Sequence, residues 1–199
     1  MNKAREVTRQ FLYLRGAREF FVVFDRVEAT KPEFARHFFL HVPTEPHAAS
    51  NRLDWLSSPE ADGDKSVLSH GRSRIFMTTL LPLDAKIVTR GGPGKDAWGH
   101  PLEPTAQYNH QNERGKKPPI CPWRIEVADP SQGARTMFLH VFEITDENNQ
   151  TPTAIKLVEP AGVQIGDKGQ VRFNASGPLA GSVGDRALAT EMHTESQYQ

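Results

Sequence analysis

The stretch VTRQFLYLRGAREFFVVFDRVEA, residues 7–29, decides the fold of this chain. Residues 7–14 and 19–29 are rich in β-branched and aromatic side chains, and they flank a short turn at residues 15–18 that contains a glycine. This pattern predicts an antiparallel hairpin. Residues 20–24 are apolar at every position, which is typical of a strand that is buried on both faces. We therefore expect the second strand of the hairpin to be central in a sheet.

The strand signal continues on the C-terminal side of the hairpin. Short apolar or alternating runs, separated by Gly, Pro and Asn, occur at residues 34–42, 67–70, 74–81, 85–89, 123–127, 138–144, 154–158, 163–165 and 171–173. No segment has the pattern of a long amphipathic helix. The sequence predicts an all-β fold, an antiparallel β-sandwich of about ten or eleven strands with few or no helices.

A single sandwich domain is expected over residues 5–183, because one core of this size is ordinary. Residues 184–199 have almost no apolar content and predict a flexible polar tail. Long loops are predicted at residues 43–65 and 91–122, where prolines, glycines and polar residues concentrate, and loops of that length are often functional. Residues 123–127 alternate between apolar and charged, so Trp123 should face the core while Arg124 and Glu126 face away from it.

The charge balance argues against several classes of partner. The chain has 24 basic and 24 acidic residues and no run of about five like charges, so neither nucleic acid nor an anionic membrane surface is expected to bind. Its longest apolar runs are far shorter than the roughly 18 residues of a membrane span. The N-terminus lacks the apolar segment of a secretory signal, which predicts either an intracellular protein or a piece of a longer chain and leaves the compartment undetermined. The single cysteine, Cys121, excludes an internal disulfide.

Two histidines raise the question of a metal site. His37 and His41 are four residues apart, a spacing that would place both imidazoles on one face of a helix. In a strand the same residues lie ~13 Å apart, at about 3.3 Å per residue, which is too far for one ion. The other histidines show no close ligand spacing, so no metal site and no cofactor are predicted, and His140 is expected to be a hydrogen-bonded core residue. A metal-dependent enzyme assembled from distant histidines is the least favoured functional hypothesis.

Aromatic side chains supply the candidate binding residues. The face of a Trp or Tyr ring packs on the apolar side of a pyranose while polar neighbours bond its hydroxyls. Four rings of this kind are considered: Trp55, Trp98, Tyr108 and Trp123. Two of them share the long loop at residues 91–122 with polar neighbours, and the predicted carbohydrate-contact residues are Trp98, His100, Tyr108 and Asn109. No catalytic residue is predicted.

Several segments, taken in order, resemble the C-terminal β-sandwich of the heparinase II/III-like polysaccharide lyases. They are VTRQFLYL (7–14), VVFDRV (22–27), FFLHVPTEP (38–46), TLLP (79–82) leading to GGPG (91–94), WRIEV (123–127) and FLHVF (138–142). Their order and approximate spacing match the family over residues 5–183. The ordered set carries the resemblance, because no single piece is specific.

The resemblance implies both an architecture and a chemistry. Such lyases have an α/α toroid followed by large, supersandwich-like antiparallel sheets, and they cleave uronate-containing polysaccharides by β-elimination. A base removes the proton at C5 while the glycosidic oxygen leaves from C4, and neutralisation of the carboxylate makes that proton acidic enough to take. In the family a tyrosine and the groups that neutralise the carboxylate come from the toroid. A histidine-rich segment, with zinc ligands in some members, stands at the start of the β region.

Neither the toroid nor the histidine-rich segment occurs in this sequence. The resemblance therefore implies a non-catalytic portion that supports a toroid domain and contacts acidic polysaccharide, in a family that is typically periplasmic or secreted. The alternative is a free-standing carbohydrate-binding β-sandwich module that uses the loop at residues 91–122. Because a sheet truncated on its N-terminal side has unpaired edges, the isolated chain is also expected to self-associate through its edge strands.

Overall fold

The computed structural model describes residues 2–58, 72–92, 94–96, 98–101 and 121–188. Every regular element in these ranges is a β-strand, which confirms the predicted all-β class. The fourteen strands of the described ranges are β1 (Ala4–Leu14), β2 (Glu19–Ala29), β3 (His37–Val42), β4 (His47–Ala49), β5 (Arg52–Leu56), β6 (Ser73–Leu81), β7 (Lys86–Gly91), β8 (Trp123–Ala128), β9 (Arg135–Asp146), β10 (Ile155–Val158), β11 (Gly162–Ile165), β12 (Gln170–Phe173), β13 (Gly181–Val183) and β14 (Arg186–Ala187).

The chain divides into two compact units, Met1–Pro152 and Thr153–Gln199. The single domain expected over residues 5–183 spans parts of both. No helix of the length and apolarity needed to cross a membrane occurs in the part of the chain that the structure describes.

The first unit contains a six-stranded antiparallel sheet with the strand order β1-β2-β9-β6-β5-β4. The predicted hairpin of β1 and β2 is present, with Phe11 opposite Val23 and Leu14 opposite Phe20. Strand β2 lies between β1 and β9, and its residues 20–26 are buried apart from a half-buried Phe21. The prediction of a central strand that is buried on both faces is therefore confirmed.

A three-stranded antiparallel sheet, with the order β3-β8-β7, packs on one face of the six-stranded sheet. The two sheets share one apolar core, as expected for a sandwich. This core is formed by Val23, Phe38, Val42, Leu53, Trp55, Met77, Ile125, Val127 and Phe138. Trp123 packs against it, so the inward orientation predicted for β8 is confirmed.

A buried arginine joins the start of β3 to β9. The guanidinium of Arg36 donates a 2.6 Å hydrogen bond from Nε to Oγ1 of Thr136 and a 2.9 Å bond from Nη2 to the carbonyl of Ser131. Its Nη2 also lies 3.3 Å from Oδ2 of Asp129, and both side chains of this ion pair are almost wholly buried. Burial by itself raises the pKa of Asp129, but hydrogen bonds from Thr136, Ser131 and Arg36 outweigh it and hold the pKa below its ordinary value.

The prediction of a long loop over residues 43–65 is wrong for its middle part, which forms β4 and β5. Strand β5 pairs with β6 along its whole length, and its Leu53 and Trp55 side chains enter the core. The segment Arg52–Leu56 alternates between polar and apolar positions, which is the period of a half-buried strand. Because this strand is short and is surrounded by turn-forming residues, the composition of the whole segment predicted a loop in spite of the alternation.

The second unit is a five-stranded antiparallel meander of β10 to β14 in sequence order. Its own core contains Ala161, Val163, Ile165, Val171 and Phe173. Strand β14 pairs with β13 and lies inside the segment 184–199 that was expected to be a tail. Residues 189–199 of that segment lie outside the described residues.

Candidate functional site

The face of the three-stranded sheet that points away from the core carries an aromatic and basic surface. Strand alternation places His37, Phe39 and His41 of β3 on this face. In the register of the sheet, Phe39 lies opposite Glu126 and His41 lies opposite Arg124, and Arg90 of β7 follows on the far side of Arg124. We call this set, together with Trp98, the outer surface.

The centre of the outer surface is a stack of Trp98 on Arg124. The Cζ atom of Arg124 lies 3.7 Å from the centroid of the indole ring and 5.3 Å from that of Phe39. The two rings contact each other edge to face, with centroids 6.5 Å apart. Trp98 is nevertheless 59% exposed and Phe39 is 48% exposed. A guanidinium that holds two rings while much of each remains in solvent is a preformed stacking platform.

Arg124 itself is buried, although strand alternation directs it away from the core. The orientation predicted for Arg124 is confirmed, and Trp98 covers its side chain on the outer face. Its Nη2 group donates a hydrogen bond to Oε1 of Glu126, while its Nε and Nη1 atoms are buried without a hydrogen-bond partner among the described residues. These two nitrogen atoms therefore donate no hydrogen bond within the part of the chain that the structure describes.

Glu126 joins the arginine under the stack to a second, more exposed one. Its Oε1 atom accepts a 3.0 Å hydrogen bond from Nε of Arg90 in addition to the bond from Arg124. Burial raises the pKa of this carboxyl, but the hydrogen bonds from Arg90 and Arg124 outweigh that and leave the pKa below its ordinary value. The group is thus ionised at neutral pH and neutralises only one of its two arginine neighbours.

A carboxylate in the loop after β7 positions Trp98. The Oδ1 atom of Asp96 accepts hydrogen bonds from the backbone N–H groups of Trp98, at 2.8 Å, and His100, at 2.9 Å. Its Oδ2 atom lies 3.2 Å from Nδ1 of His100. Gly99, at φ +86°, supplies the left-handed conformation that closes this turn. Burial raises the pKa of Asp96, but these three hydrogen bonds outweigh burial and hold the pKa below its ordinary value.

Of the four predicted carbohydrate-contact residues, the structure places Trp98 and His100 in the same turn. Trp98 belongs to the outer surface, and His100 is exposed beside Asp96. Tyr108 and Asn109 lie outside the described residues. Trp55, by contrast, is buried in the core.

Sequence reasoning missed five residues of this site: Phe39, Arg90, Asp96, Arg124 and Glu126. Phe39 was assigned only to a strand, and Asp96 only to the long loop at residues 91–122. The alternation of β3 gave a signal for Phe39, because it placed an aromatic residue on the face opposite Phe38. Nothing in the local sequence indicated that Trp98 would lie on Arg124, since residues 98 and 124 meet only through the folding of the sheet.

The histidines do not form a metal site in the described part of the chain. No group of three or more His, Cys, Asp or Glu side chains there could hold an ion. His37 and His41 are both exposed on β3, and the ring of His37 stacks on Phe39 with centroids 5.5 Å apart. His140 is fully buried, as expected, but only its Nδ1 atom has a partner, Oγ1 of Thr79 at 3.2 Å.

The second unit has a depression of about 380 Å³ between the β10–β11 turn and the end of β12. Its polar lining includes Glu159, Arg172, Asn174 and Ser182. The Arg172 side chain donates a 2.9 Å hydrogen bond to Gln170, within its own strand. Since Phe173, the one aromatic residue of the lining, is buried, this depression offers no exposed ring for a sugar.

No protein-family model matches the chain, and no curated protein matches it in sequence.

Proposed function

We propose that this chain is a non-catalytic β-sandwich that contacts acidic polysaccharide through its outer surface, in the role of the sheet region that follows the toroid of a heparinase II/III-like lyase. The observation that carries the glycan contact is the exposed Trp98 ring held on Arg124 beside Phe39. The ordered sequence segments and the all-β fold support the family context.

The stack offers a sugar what it needs on its apolar side. A pyranose presents a face of C–H groups that packs on an aromatic ring, and this contact requires a ring that is both exposed and held in place. Trp98 is held by Arg124 from below and by the Asp96 turn from the side. Because the ring is already ordered, less conformational entropy is lost when a ligand binds.

The charges around the stack favour an anionic ligand. By strand register, the outward positions of β7 and β8 carry Lys86, Arg90 and Arg124 against the single carboxylate of Glu126. Exposed guanidinium and ammonium groups bind carboxylates and sulfates through charge-assisted hydrogen bonds. A uronate whose ring lies on Trp98 would bring its carboxylate toward the exposed Arg90, while the buried Arg124 adds its positive charge from beneath the ring. In this proposal the proton-abstracting residues of β-elimination belong to a toroid domain.

The experiment compares the binding of uronate oligosaccharides to the whole chain and to the variant Trp98→Ala. Calorimetric titration with alginate and heparin oligosaccharides should show binding that the variant weakens about tenfold, the factor that corresponds to about 1.4 kcal/mol. The matched control is Val7→Ala, which truncates an exposed apolar side chain on the other sheet. Equal affinities of wild type and Trp98→Ala, or no binding by either, would refute the glycan contact at this surface.

A second measurement separates the lyase context from a free-standing binding module. The isolated chain is expected to release no unsaturated uronate from polyanionic glycans, and addition of a toroid-bearing polypeptide should restore that ultraviolet absorbance. Absorbance produced by the isolated chain would overturn the non-catalytic role. Glycan binding that no toroid polypeptide converts into cleavage would leave the free-standing module as the function of the same surface.

A further inference from the structure

The edge strand β1 carries an exposed apolar row. Val7 is 71% exposed, Phe11 is 61% exposed and Tyr13 is 38% exposed, and their odd numbers place them on one face of the strand. Among the described residues, β1 has a hydrogen-bonded neighbour on only one side, β2. A long, unpaired edge strand with exposed apolar side chains is a template for the addition of another strand.

The apolar row continues into a groove of about 360 Å³ on the same face of the sheet. Phe11 lines its outer side, and the rest of its lining is mainly aromatic and aliphatic: Phe21, Val23, Phe38, Leu40, Trp55, Ile75, Phe142 and Ile144. Among the described residues of the lining, Arg9 is the only charged one. Contiguous apolar surfaces of this kind occur at protein–protein interfaces and in ligand-binding grooves.

Gln10 lies at the centre of the regular part of β1. The register with β2 shifts between Ala4 and Glu6 and is then unbroken from Glu6 to Leu14. These nine residues have Gln10 at their midpoint. Two copies of the segment can therefore pair antiparallel over their full regular length only when Gln10 lies opposite Gln10.

This register also keeps like charges of the two copies from lying opposite each other. It places Arg9 opposite Phe11 of the second copy, Val7 opposite Tyr13 and Glu6 opposite Leu14, so no two like charges face each other. The positive charge of Arg9 is already balanced, since its Nε and Nη2 atoms both donate 2.7 Å hydrogen bonds to Asp25. Its Cζ atom also lies 5.2 Å from the ring centroid of Phe38, so this guanidinium already contacts an aromatic ring within its own chain. A pairing centred on Arg9 would instead oppose two guanidinium groups.

We propose that a second copy of this chain docks on β1 by antiparallel pairing centred on Gln10, which joins the two six-stranded sheets and packs the apolar rows of the two copies side by side on one face. This interface is separate from the outer surface and does not depend on glycan binding. It gives the chain a self-complementary, two-fold contact of the kind that closes a dimer.

The register is tested by disulfide formation in a background that carries Cys121→Ser, which removes the one native cysteine. Directly opposite residues of an antiparallel pair have Cα atoms about 4.5–5.5 Å apart, within the range of a disulfide. The variant Gln10→Cys should therefore form a covalent dimer in a glutathione buffer. The matched control is Thr8→Cys on the same face, whose two copies would be offset by about 13 Å along the strands and should form no disulfide-linked dimer.

Sedimentation velocity of the wild-type chain tests the association itself. A reversible dimer is expected, and Phe11→Lys should raise its dissociation constant at least tenfold because it places an ammonium group in the apolar row. A single monomeric species up to about 1 mM, where any association stronger than about −4 kcal/mol is visible, would overturn the proposal and leave the groove to another polypeptide. Equal cross-linking of Gln10→Cys and Thr8→Cys would overturn the proposed register.

Discussion

Acidification from about pH 7 to about pH 5 is expected to destabilise the first unit through the imidazole of His140. This side chain is fully buried between Phe38 and Phe138, with ring centroids 4.2 and 6.2 Å away. Its Nε2 atom has no hydrogen-bond partner among the described residues, and Nδ1 contacts only the hydroxyl of Thr79. Burial, and secondarily the positive charge of Arg9, lowers the pKa of His140 to about 3.

The direction of the effect follows from the two states. In the folded protein His140 stays neutral down to about pH 3, whereas in the unfolded chain it takes up a proton near pH 6.5. The contribution of the neutral His140 to the free energy of unfolding is therefore fully present above about pH 6.5. Below that pH the free energy of unfolding falls by about 1.4 kcal/mol per pH unit. At about pH 5 the loss amounts to roughly 2 kcal/mol. Carboxyls with a lowered pKa, such as Asp129, stay ionised in both states over most of this range and contribute little.

Urea unfolding followed by tryptophan fluorescence measures this loss, since Trp55 lies in the same core. The variant His140→Leu removes the titrating group, and its free energy of unfolding should change little between about pH 7 and about pH 5. The control His37→Gln removes an exposed histidine of β3 and should keep the wild-type slope. If wild type and His140→Leu lose the same free energy over this interval, the burial of a neutral His140 is not what sets the acid response.

Two further predictions concern ion pairs and the binding turn. Asp129→Ala should lower the free energy of unfolding by about 3–5 kcal/mol, because it leaves the buried Arg36 charge without its partner. The control Glu33→Gln, in an exposed ion pair, should change it by less than about 1 kcal/mol. Urea unfolding at neutral pH compares the two variants, and equal effects would contradict the structural role of the buried pair. Asp96→Ala should leave the free energy of unfolding almost unchanged but release Trp98 from its turn. The tryptophan emission should then shift and uronate binding should weaken. Unchanged emission and affinity would show that the turn does not hold the ring.

The local pattern of the sequence determined the fold class. The hairpin at residues 7–29 and the alternation of β8 depend on side-chain periodicity and turn chemistry, which act between near neighbours. The short strand β5 carried the same period but was outweighed by the turn residues around it, and only its pairing with β6 decided its state. Strand propensity in so short a segment depends on the sheet that receives it.

The candidate site was determined in part by the sequence and completed by the tertiary structure. Composition indicated Trp98 as an exposed ring in a long loop, but the loop sequence does not encode what lies beneath the ring. Arg124 reaches that position because β8 pairs between β3 and β7, which brings residues 39, 90 and 124 onto one face. The buried, half-bonded state of His140 likewise depends on Phe38 from the opposite sheet. Such contacts join residues far apart in the chain, so only the packing of the two sheets could decide them.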